Sequence, residues 1–327
     1  MLPIGVLIPT RNCASLIPGH IESLQSWIDL AAEIVIVDSQ SSDGTLELLR
    51  QNVSHPKVRF MQHPPGLYQS WNFGIQSLAT KYVSIATVGD SITRAGVEHL
   101  FAVAEKFQSD VVISKPRFVN ETGGELPESR WPIDDILQRL QVRTPRELSP
   151  DVQFFFALSN TWGAILGSSA SNLYRTACLQ ERPFPTDFGT AGDGGWGMRH
   201  TFEIRMAVTP ERFSTFRYHQ KSYASSEYHL DQFALKMFRA GEETLARELK
   251  KSPERRHDLE ELRLTELPAV IERHLAHQRN LEECRKKKIP WIFQPAAWRC
   301  RRLRNESQNE LDRLKDEIAA KFLAARA

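Results

Sequence analysis

The stretch that decides the fold is Glu33-Ile-Val-Ile-Val-Asp-Ser-Gln-Ser-Ser-Asp-Gly-Thr45. Residues 34–37 are β-branched and apolar, and such a run predicts a parallel strand that is buried on both faces. The run stops at Asp38 and crosses a Ser/Asp/Gly turn into a helix-forming segment. Because ligands bind beyond the carboxyl ends of parallel strands, Asp38 is a candidate binding residue. Support of the turn explains the same carboxylate equally well.

The sequence around this stretch repeats the alternation of strand and helix. We expect strands at residues 4–8, 57–61, 82–87 and 110–114, and helices at residues 16–27, 66–78 and 96–107. Alternating strands and helices with short connections predict an α/β fold, in which helices flank a mainly parallel central sheet. Ser41, Ser42 or Asp43 is expected to cap the helix that follows the quoted strand.

Composition excludes several classes of protein. The chain has 327 residues, of which 41% are hydrophobic and 25% are charged, as in ordinary globular proteins. A formal net charge of +2 provides no basic field, which disfavours nucleic acid as a partner. The chain enters an apolar strand directly, and no apolar run reaches the roughly 18 residues of a membrane span. Four scattered cysteines without a Cys-x-x-Cys motif favour reduced thiols, and we expect a cytoplasmic protein.

Several short motifs occur in an order that resembles the family-2 inverting glycosyltransferases, which have the GT-A fold and use nucleotide-diphospho-sugars. The similar segments are Ile8-Pro-Thr-Arg-Asn12, residues 36–45, Gly66 with Asn72-Phe-Gly-Ile75, Ala191-Gly-Asp-Gly-Gly-Trp-Gly-Met-Arg199, and Tyr218-His219. Each motif alone is weak, but their order over residues 4–225 is specific for the superfamily. The resemblance implies a catalytic domain over residues 1–225, followed by a helical C-terminal extension over residues 226–327.

The resemblance implies a donor site at the carboxyl ends of the first strands. Pro9, Thr10 and Asn12 would line the nucleotide base and ribose, and Asn72 would add to the nucleotide-binding residues. Asp38 would accept a hydrogen bond from the base, most naturally from the imide N–H of a uracil. The expected donor is therefore a nucleotide-diphospho-sugar, with a UDP-sugar favoured.

The metal-binding turn of the family contains fewer carboxylates in this sequence. Thr87-Val-Gly-Asp90 occupies the place of the common Asp-x-Asp-Asp motif, and it is similar to an Asn-x-Gly-Asp version. Mg²⁺ or Mn²⁺ is often held by one or two carboxylates together with substrate phosphates, so Asp90 is the expected metal ligand. His219 resembles a family histidine near the diphosphate and is a second candidate ligand. The alternatives are a capping role for Asp90 and a structural role for His219.

Asp193 is the expected general base, because it lies in Gly192-Asp-Gly-Gly195 at the start of a helix in the similar motif. Inversion needs one base that takes the proton of the acceptor hydroxyl. A carboxylate near a helix N-terminus is kept ionised by the helix dipole. A plain N-cap is the alternative for Asp193, and Arg199 is expected to form a structural pair.

The middle of the chain gives weaker signals about the acceptor. Residues 117–150 predict an acceptor-side loop or a small subdomain, and the small residues of 163–175 resemble the family's strand that returns under the active site. The aromatic residues 154–156 are expected in the core, although they could wall an acceptor pocket.

The tail carries a segment with a different composition. Residues 285–304 contain tryptophan and phenylalanine bordered by lysine and arginine, and no acidic residue. This pattern fits peripheral contact with an anionic membrane at its inner face, with a lipid-linked acceptor. Docking of the apolar residues on the catalytic domain is the alternative and is slightly favoured.

These observations predict a metal-assisted inverting glycosyltransferase that acts on a glycan or lipid-linked acceptor. The alternative from another class is a non-catalytic nucleotide-sugar-binding or scaffold protein with a degenerate metal site. A nucleotidyltransferase lacks support because no Gly-rich basic phosphate loop occurs near the N-terminus. A dehydrogenase is disfavoured because no Gly-x-Gly-x-x-Gly follows the first strand.

Overall fold

The computed structural model describes residues 1–128, 131–160, 164–218, 230–286 and 295–325. Within those ranges, the strands are β1 (Ile4–Thr10), β2 (Glu33–Asp38), β3 (Val58–Gln62), β4 (Tyr82–Ile85), β5 (Ser91–Ile92), β6 (Val111–Ile113), β7 (Arg117–Val119), β8 (Arg146–Leu148), β9 (Leu173–Arg175), β10 (Met206–Val208) and β11 (Ser214–Arg217). The helices are α1 (Ile17–Gln25), α2 (Thr45–Asn52), α3 (Leu67–Gln76), α4 (Arg94–Phe107), α5 (Pro132–Arg139), α6 (Pro150–Ser159), α7 (Thr176–Glu181), α8 (Gly192–His200), α9 (Leu230–Glu248), α10 (Pro253–Glu261), α11 (Leu267–Lys286) and α12 (Pro295–Ala324).

Eight of the described strands form one sheet in the order β3-β2-β1-β4-β9-β6-β10-β8. The first four are parallel, and β10 is parallel to β6. β9 runs antiparallel to β4 and β6, and β8 runs antiparallel to β10 at the edge. The predicted α/β fold with a mainly parallel sheet is thus confirmed. The carboxyl ends of β1, β2, β4 and β6 meet at one edge of this sheet.

The sheet separates two hydrophobic cores, which explains why the central strands are apolar at every position. Leu7, Val35 and Val37 face one core, while Ile8 and Ile36 face the other. Successive side chains of a strand point to opposite faces, so a strand covered on both sides needs apolar residues throughout. This double burial is the physical origin of the unbroken run at residues 34–37.

The chain between the strands departs from the expected boundaries in two places. The strand predicted to reach residue 87 ends at Ile85, because the chain leaves the sheet there and turns through Gly89, where φ is +103°. Residues 117–128 and 131–148 contain β7, α5 and β8. β7 joins a second sheet in the order β5-β11-β7, whereas β8 lies at the edge of the main sheet and α5 packs on the main core. This second sheet lies next to the turn at residues 87–90.

The C-terminal region is helical, as predicted, and it packs on the rest of the molecule. α11 and α12 run antiparallel, as shown by the ion pairs Arg273–Glu310 and Arg263–Glu317. Apolar residues of α12 belong to the same core as α6, and the rings of Phe322 and Phe155 lie 5.7 Å apart. The aromatic residues 154–156 are buried in this core, as expected. The predicted domain boundary at residues 225/226 lies outside the described residues.

In the part of the chain that the structure describes, no helix combines the length and the apolar character that a membrane crossing requires.

Candidate active site

Asp38 lies at the carboxyl end of β2, beside the end of β1. Its Oδ1 accepts a hydrogen bond from Thr10 Oγ1 at 3.2 Å, and its Oδ2 accepts one from the backbone N–H of Ser41 at 3.0 Å. The residue has no exposed surface. The structure therefore gives Asp38 the contacts of a turn-supporting residue, whereas its hydrogen bond to a nucleobase stays a prediction.

Two loops that follow β1 and β2 are joined by backbone and side-chain hydrogen bonds. The backbone N–H of Asn12 donates to Ser41 Oγ, and the N–H of Ser42 donates to Asn12 Oδ1, both at 2.9 Å. Asn12 is exposed and adopts a φ of +46°, while Pro9 and Thr10 are buried. Non-glycine residues in this backbone region are uncommon and cluster at functional sites. These hydrogen bonds hold the two loops together beside the predicted donor residues Pro9, Thr10 and Asn12.

The expected helix cap after β2 is wrong for Ser41 and Ser42. The N-cap of α2 is Gly44, which has a φ of +88° and offers no side-chain cap. Asp43 instead accepts hydrogen bonds from the backbone N–H and the hydroxyl of Thr45. The two serines bond to the loop after β1, so tertiary contacts outweigh their local capping preference.

Asp90 closes the turn after β4 and is buried. Its Oδ1 accepts the backbone N–H of Arg217 at 3.0 Å, and Arg217 Nε donates to the carbonyl of Gly89 at 3.1 Å. Burial raises the pKa of Asp90 to about 7, against the opposing effects of Arg217 and the Ser168 side chain. Thr93 is the N-cap of α4, so capping of this helix is not the role of Asp90.

The surroundings of Asp90 define what kind of cation they could hold. Among the described residues, no cluster of three or more His, Cys, Asp or Glu side chains could hold a metal ion. His219, the second predicted ligand, lies outside the described residues. A buried carboxylate with a raised pKa is one that a nearby cation stabilises in its charged form. Asp90, as a single carboxylate ligand, therefore fits a cation that takes most of its other ligands from a bound diphosphate.

Asp193 occupies the second position of α8 and is partly buried. Its Oδ1 accepts hydrogen bonds from Tyr68 Oη at 2.9 Å and from the backbone N–H of Gly194 at 2.8 Å. Its Oδ2 accepts one from Ser169 Oγ at 3.1 Å. Burial raises the pKa of Asp193, and these hydrogen bonds oppose the rise. The N-cap of α8 is Ala191, so the alternative of a plain N-cap is wrong.

A polar turn at residues 168–172 lies beside Asp193. The hydroxyl of Ser169 in this turn donates to Asp193 Oδ2. The sequence indicated this stretch only as a set of small residues, and the contact of Ser169 with Asp193 was not predicted. The contact of Tyr68 was also missed, since its partner Asp193 is 125 residues away. The serine-rich composition of the turn is the signal that could have indicated a polar site.

Asn72, a predicted nucleotide-binding residue, forms two hydrogen bonds within the protein. Its Nδ2 donates to the carbonyl of Phe184 at 2.8 Å, and its Oδ1 accepts the N–H of the same residue at 3.0 Å. The side chain thus joins α3 to the segment before α8. This contact gives Asn72 a structural role, and its contact with the nucleotide stays a prediction. Arg199 forms the expected structural pair, with Asp187 at 3.4 Å.

Comparison with known proteins shows which families and structures this chain is similar to. The family model for glycosyl transferase family 2 matches residues 5–161. The glycosyltransferase GlyA of Streptococcus pneumoniae is 23% identical over 200 residues, which is 59% of this chain and 27% of that protein. Chondroitin synthase of Escherichia coli is 26% identical over 137 residues, 40% of this chain and 20% of that protein. The chain thus spans about a quarter of the length of these curated relatives.

Two solved structures share the fold over nearly the whole chain. Staphylococcus aureus TarS 1-349 in complex with UDP-GlcNAc superposes with a TM-score of 0.59 at 17% identity, covering 99% of this chain and 92% of that one. The mannosyltransferase PcManGT of Pyrobaculum calidifontis, in complex with GDP-Man and Mn²⁺, gives 0.55 at 18% identity, with coverages of 98% and 86%. The fold is therefore the GT-A fold. Residues 5–161 are similar to glycosyl transferase family 2, the family that the sequence motifs resemble.

Proposed function

We propose that the chain transfers a sugar from a nucleotide-diphospho-sugar to an acceptor hydroxyl, with inversion at the anomeric carbon. The observation that carries this proposal is a pair of carboxylates. Asp90 lies in the turn after β4 and accepts the N–H of Arg217, and Asp193 begins α8 and accepts hydrogen bonds from Tyr68 and Ser169. One carboxylate follows β4 at the carboxyl edge of the sheet, where ligands of open α/β sheets bind. The other begins α8 and can receive a proton.

The donor site is assigned to the loops after β1 and β2. Pro9, Thr10 and Asn12 form one wall, and Asp38 braces the turn behind them. The similar structures of TarS and PcManGT contain UDP-GlcNAc and GDP-Man, which supports a nucleotide-diphospho-sugar donor. We favour a UDP-sugar, because UDP-GlcNAc is bound in the TarS structure, which covers 99% of this chain.

Asp90 is assigned to a divalent cation, Mg²⁺ or Mn²⁺, with His219 as a second ligand. The presence of Mn²⁺ with GDP-Man in PcManGT supports this assignment. When bound, such a cation neutralises charge on the leaving diphosphate. The chain itself contributes the buried carboxylate of Asp90 and the guanidinium of Arg217, which lies beside the same turn.

Asp193 acts as the general base in the transfer. The acceptor oxygen forms a bond to the anomeric carbon while the bond from that carbon to the diphosphate oxygen breaks, and the acceptor proton passes to Asp193. The nucleoside diphosphate leaves with the bonding electrons. Tyr68 and Gly194 orient the carboxylate, and its burial raises the pKa and thus its basicity.

Calorimetric titration of UDP and GDP, each with and without Mn²⁺, tests the donor site. We expect UDP to bind wild type with Mn²⁺, Asp90→Ala to lose that binding by at least tenfold, and Asp193→Asn to keep it. Release of UDP from UDP-GlcNAc, with water as acceptor, should fall at least a hundredfold in Asp193→Asn, because a general base contributes roughly 10²–10⁴-fold. Equal release by wild type and Asp193→Asn would contradict the base assignment.

A non-catalytic nucleotide-sugar-binding role is the second candidate. It is favoured by the turn at residues 87–90, where Asp90 is the single carboxylate. This candidate predicts nucleotide binding without any release of UDP from UDP-sugars. The same titrations and release assay therefore separate the two functions.

We further propose that the first turns of α12 contact an anionic membrane at its cytoplasmic face. Trp298 is 50% exposed there, and Arg299, Arg301 and Arg302 are exposed beside it. Cations near a helix N-terminus oppose the helix dipole, so they favour an external anion such as a lipid headgroup. Residues 287–294 of the predicted membrane segment lie outside the described residues. A lipid-linked acceptor would be presented at such a surface.

Co-sedimentation with vesicles tests this contact. Wild type should bind vesicles that contain phosphatidylglycerol and not vesicles of phosphatidylcholine alone. The variant with Arg299→Glu, Arg301→Glu and Arg302→Glu should lose binding, since each basic residue contributes about 1 kcal/mol near an anionic surface. Arg313→Glu, exposed further along α12, is the control and should bind as wild type does. Equal binding of all variants would refute the contact.

A further inference from the structure

We infer that Tyr174 is a positioning residue for the general base Asp193 and acts on it at a distance, through the hydroxyl of Ser169. The inference rests on the proposed function of Asp193 and adds the hydrogen-bond chain that fixes the direction of its contacts. This chain runs from Asn172 through Tyr174 and Ser169 to the carboxylate, and its first three members are buried. It also assigns Asp193 Oδ2 as the atom that takes the acceptor proton.

The amide of Asn172 begins the chain and has one consistent orientation. Its Nδ2 lies 3.0 Å from the carbonyl of Leu166, which can only accept a hydrogen bond. Its Oδ1 lies 3.4 Å from the backbone nitrogen of Ser114, which can only donate. Because one N–H of the amide is directed to Leu166, the other donates to Tyr174 Oη at 3.2 Å. The tyrosine hydroxyl therefore enters the chain as an acceptor.

The two hydroxyl groups carry this direction on to the carboxylate. Tyr174 Oη lies 3.1 Å from Ser169 Oγ, and either atom could be the donor by distance alone. Ser169 Oγ lies 3.1 Å from Asp193 Oδ2, and a charged carboxylate can only accept. The proton of Ser169 is therefore directed to Asp193, and that of Tyr174 to Ser169. In the reverse direction, the buried proton of Tyr174 would have no acceptor in the chain, which is costly.

Two tyrosines face Asp193, and burial keeps both of them as donors. Among the described residues, these contacts bring two titratable side chains to Asp193, namely Tyr68 from α3 and Tyr174 from β9. Burial and the charge of Asp193 raise the pKa of each tyrosine, so both hydroxyl groups keep their protons. Hydrogen bonds in a chain polarise one another, so donation by Tyr174 strengthens donation by Ser169. The chain thus favours the charged form of Asp193, while burial opposes it.

The same contacts decide which oxygen of Asp193 is the base. A carboxylate oxygen has two acceptor positions. Among the described residues, the hydroxyl of Tyr68 and the backbone N–H of Gly194 occupy those of Oδ1. Ser169 occupies one position of Oδ2. The acceptor proton therefore passes to the other position of Oδ2, as the acceptor oxygen bonds to the anomeric carbon. The oxygen that takes the proton is the one that the chain reaches.

A double-mutant cycle at Ser169 and Tyr174 tests the chain. Carboxyl ¹³C NMR measures the pKa of Asp193 in the full chain, with the signal assigned by its loss in Asp193→Asn. Ser169→Ala should raise this pKa by about one pH unit, because a hydrogen bond to the charged base is lost. Tyr174→Phe should raise it by about half a pH unit, although Tyr174 does not donate to Asp193. The double variant should match Ser169→Ala alone, because Tyr174 acts through Ser169.

Tyr82→Phe is the matched control for Tyr174→Phe. It removes the hydroxyl of another fully buried tyrosine, on the neighbouring strand β4. Tyr82 belongs to the core on the opposite face of the sheet, so this variant should leave the pKa of Asp193 unchanged. Tyr174→Phe keeps the ring that packs against Phe184 and Trp196, with centroids 5.8 and 6.0 Å away. Both variants therefore keep the core filled.

The pH profile of UDP release from UDP-GlcNAc with Mn²⁺ gives a second readout. The acid limb of kcat/KM should move up by the same amounts as the pKa of Asp193, and the Kd for UDP should stay unchanged. An unchanged pKa in Tyr174→Phe would overturn the inference, as would additive shifts in the double variant or an equal shift in Tyr82→Phe. If wild type releases no UDP while the pKa follows the cycle, the proposed function fails and the positioning role stands.

Discussion

His20 on α1 is a buried histidine, 4% exposed, and among the described groups neither of its ring nitrogens has a hydrogen-bond partner. Burial lowers its pKa from 6.5 to about 4, and the nearby backbone of Asp90 opposes this shift. The unfolded chain therefore binds a proton at a higher pH than the folded chain does. Stability from this group is present above pH 6.5 and is lost as the pH falls from 6.5 toward 4.

We expect the wild type to lose about 2 kcal/mol more stability than His20→Leu when the pH falls from 7 to 5. Urea unfolding of both proteins at the two pH values measures the difference. Other groups titrate equally in both proteins, so the comparison isolates the histidine. Equal losses would show that His20 becomes protonated within the folded protein without cost.

Asn72 distinguishes a structural side chain from a donor-binding one. Asn72→Ala leaves the buried N–H and C=O of Phe184 without their partners, which costs about 1–3 kcal/mol for each unsatisfied group. We expect a lower free energy of unfolding and an unchanged Kd for UDP. Gln76→Ala, one turn further along α3 and exposed, is the control and should cost less than about 1 kcal/mol. If Asn72→Ala lost UDP binding without losing stability, the result would instead support a contact between Asn72 and the nucleotide.

At the scale of elements, the turn at residues 167–172 depends on Gly167. Its φ of +66° lies in the left-handed region, and a Cβ at this position would lie 2.1 Å from Trp131 Nε1. An alanine there meets both backbone strain and a rigid indole ring. Gly123 has a φ of +86° with open space around it, so it meets the backbone strain alone.

Gly123→Ala should therefore cost about 1–2 kcal/mol, while Gly167→Ala should cost an additional 1–3 kcal/mol. Gly167→Ala should also reduce UDP release, because Ser168 and Ser169 follow it directly. Chemical unfolding and the release assay measure the two effects. Equal destabilisation by both substitutions would mean that the Trp131 ring moves away freely.

The elements differ in how well sequence predicts them, and burial explains the difference. β1 and β2 were predictable because burial on both faces leaves an unbroken apolar run. The position of Asp193 at the start of α8 was predictable because a short motif carries it, while its role and that of the donor loop stay predictions. The turn at residues 168–172 and the hydroxyl of Tyr68 were not, because their partners are distant in sequence. Local propensity also failed at Ser41 and Ser42, where tertiary hydrogen bonds replaced the expected capping.

At the scale of the whole molecule, the core runs continuously from the sheet into the C-terminal helices. Phe322 on α12 packs against Phe155, and Lys315 on the same helix donates to the carbonyl of Ser159. Arg255 on α10 forms an ion pair with Asp151 on α6. The C-terminal extension therefore stabilises the sheet-bearing part, which favours docking over a free tail for most of its length. The exposed start of α12 is the part to which the proposed membrane contact applies.

This continuity predicts how a change in the tail affects the distant site. Phe322→Ala should lower the free energy of unfolding by about 3–5 kcal/mol, because a buried aromatic side chain is lost from the shared core. Trp298→Ala, in the exposed part of the same helix, should cost much less. Because the core is shared, tryptophan fluorescence and the loss of UDP binding should follow one common urea transition in both variants. Two separate transitions in Phe322→Ala, with UDP binding kept after the first, would show instead that the C-terminal helices unfold independently.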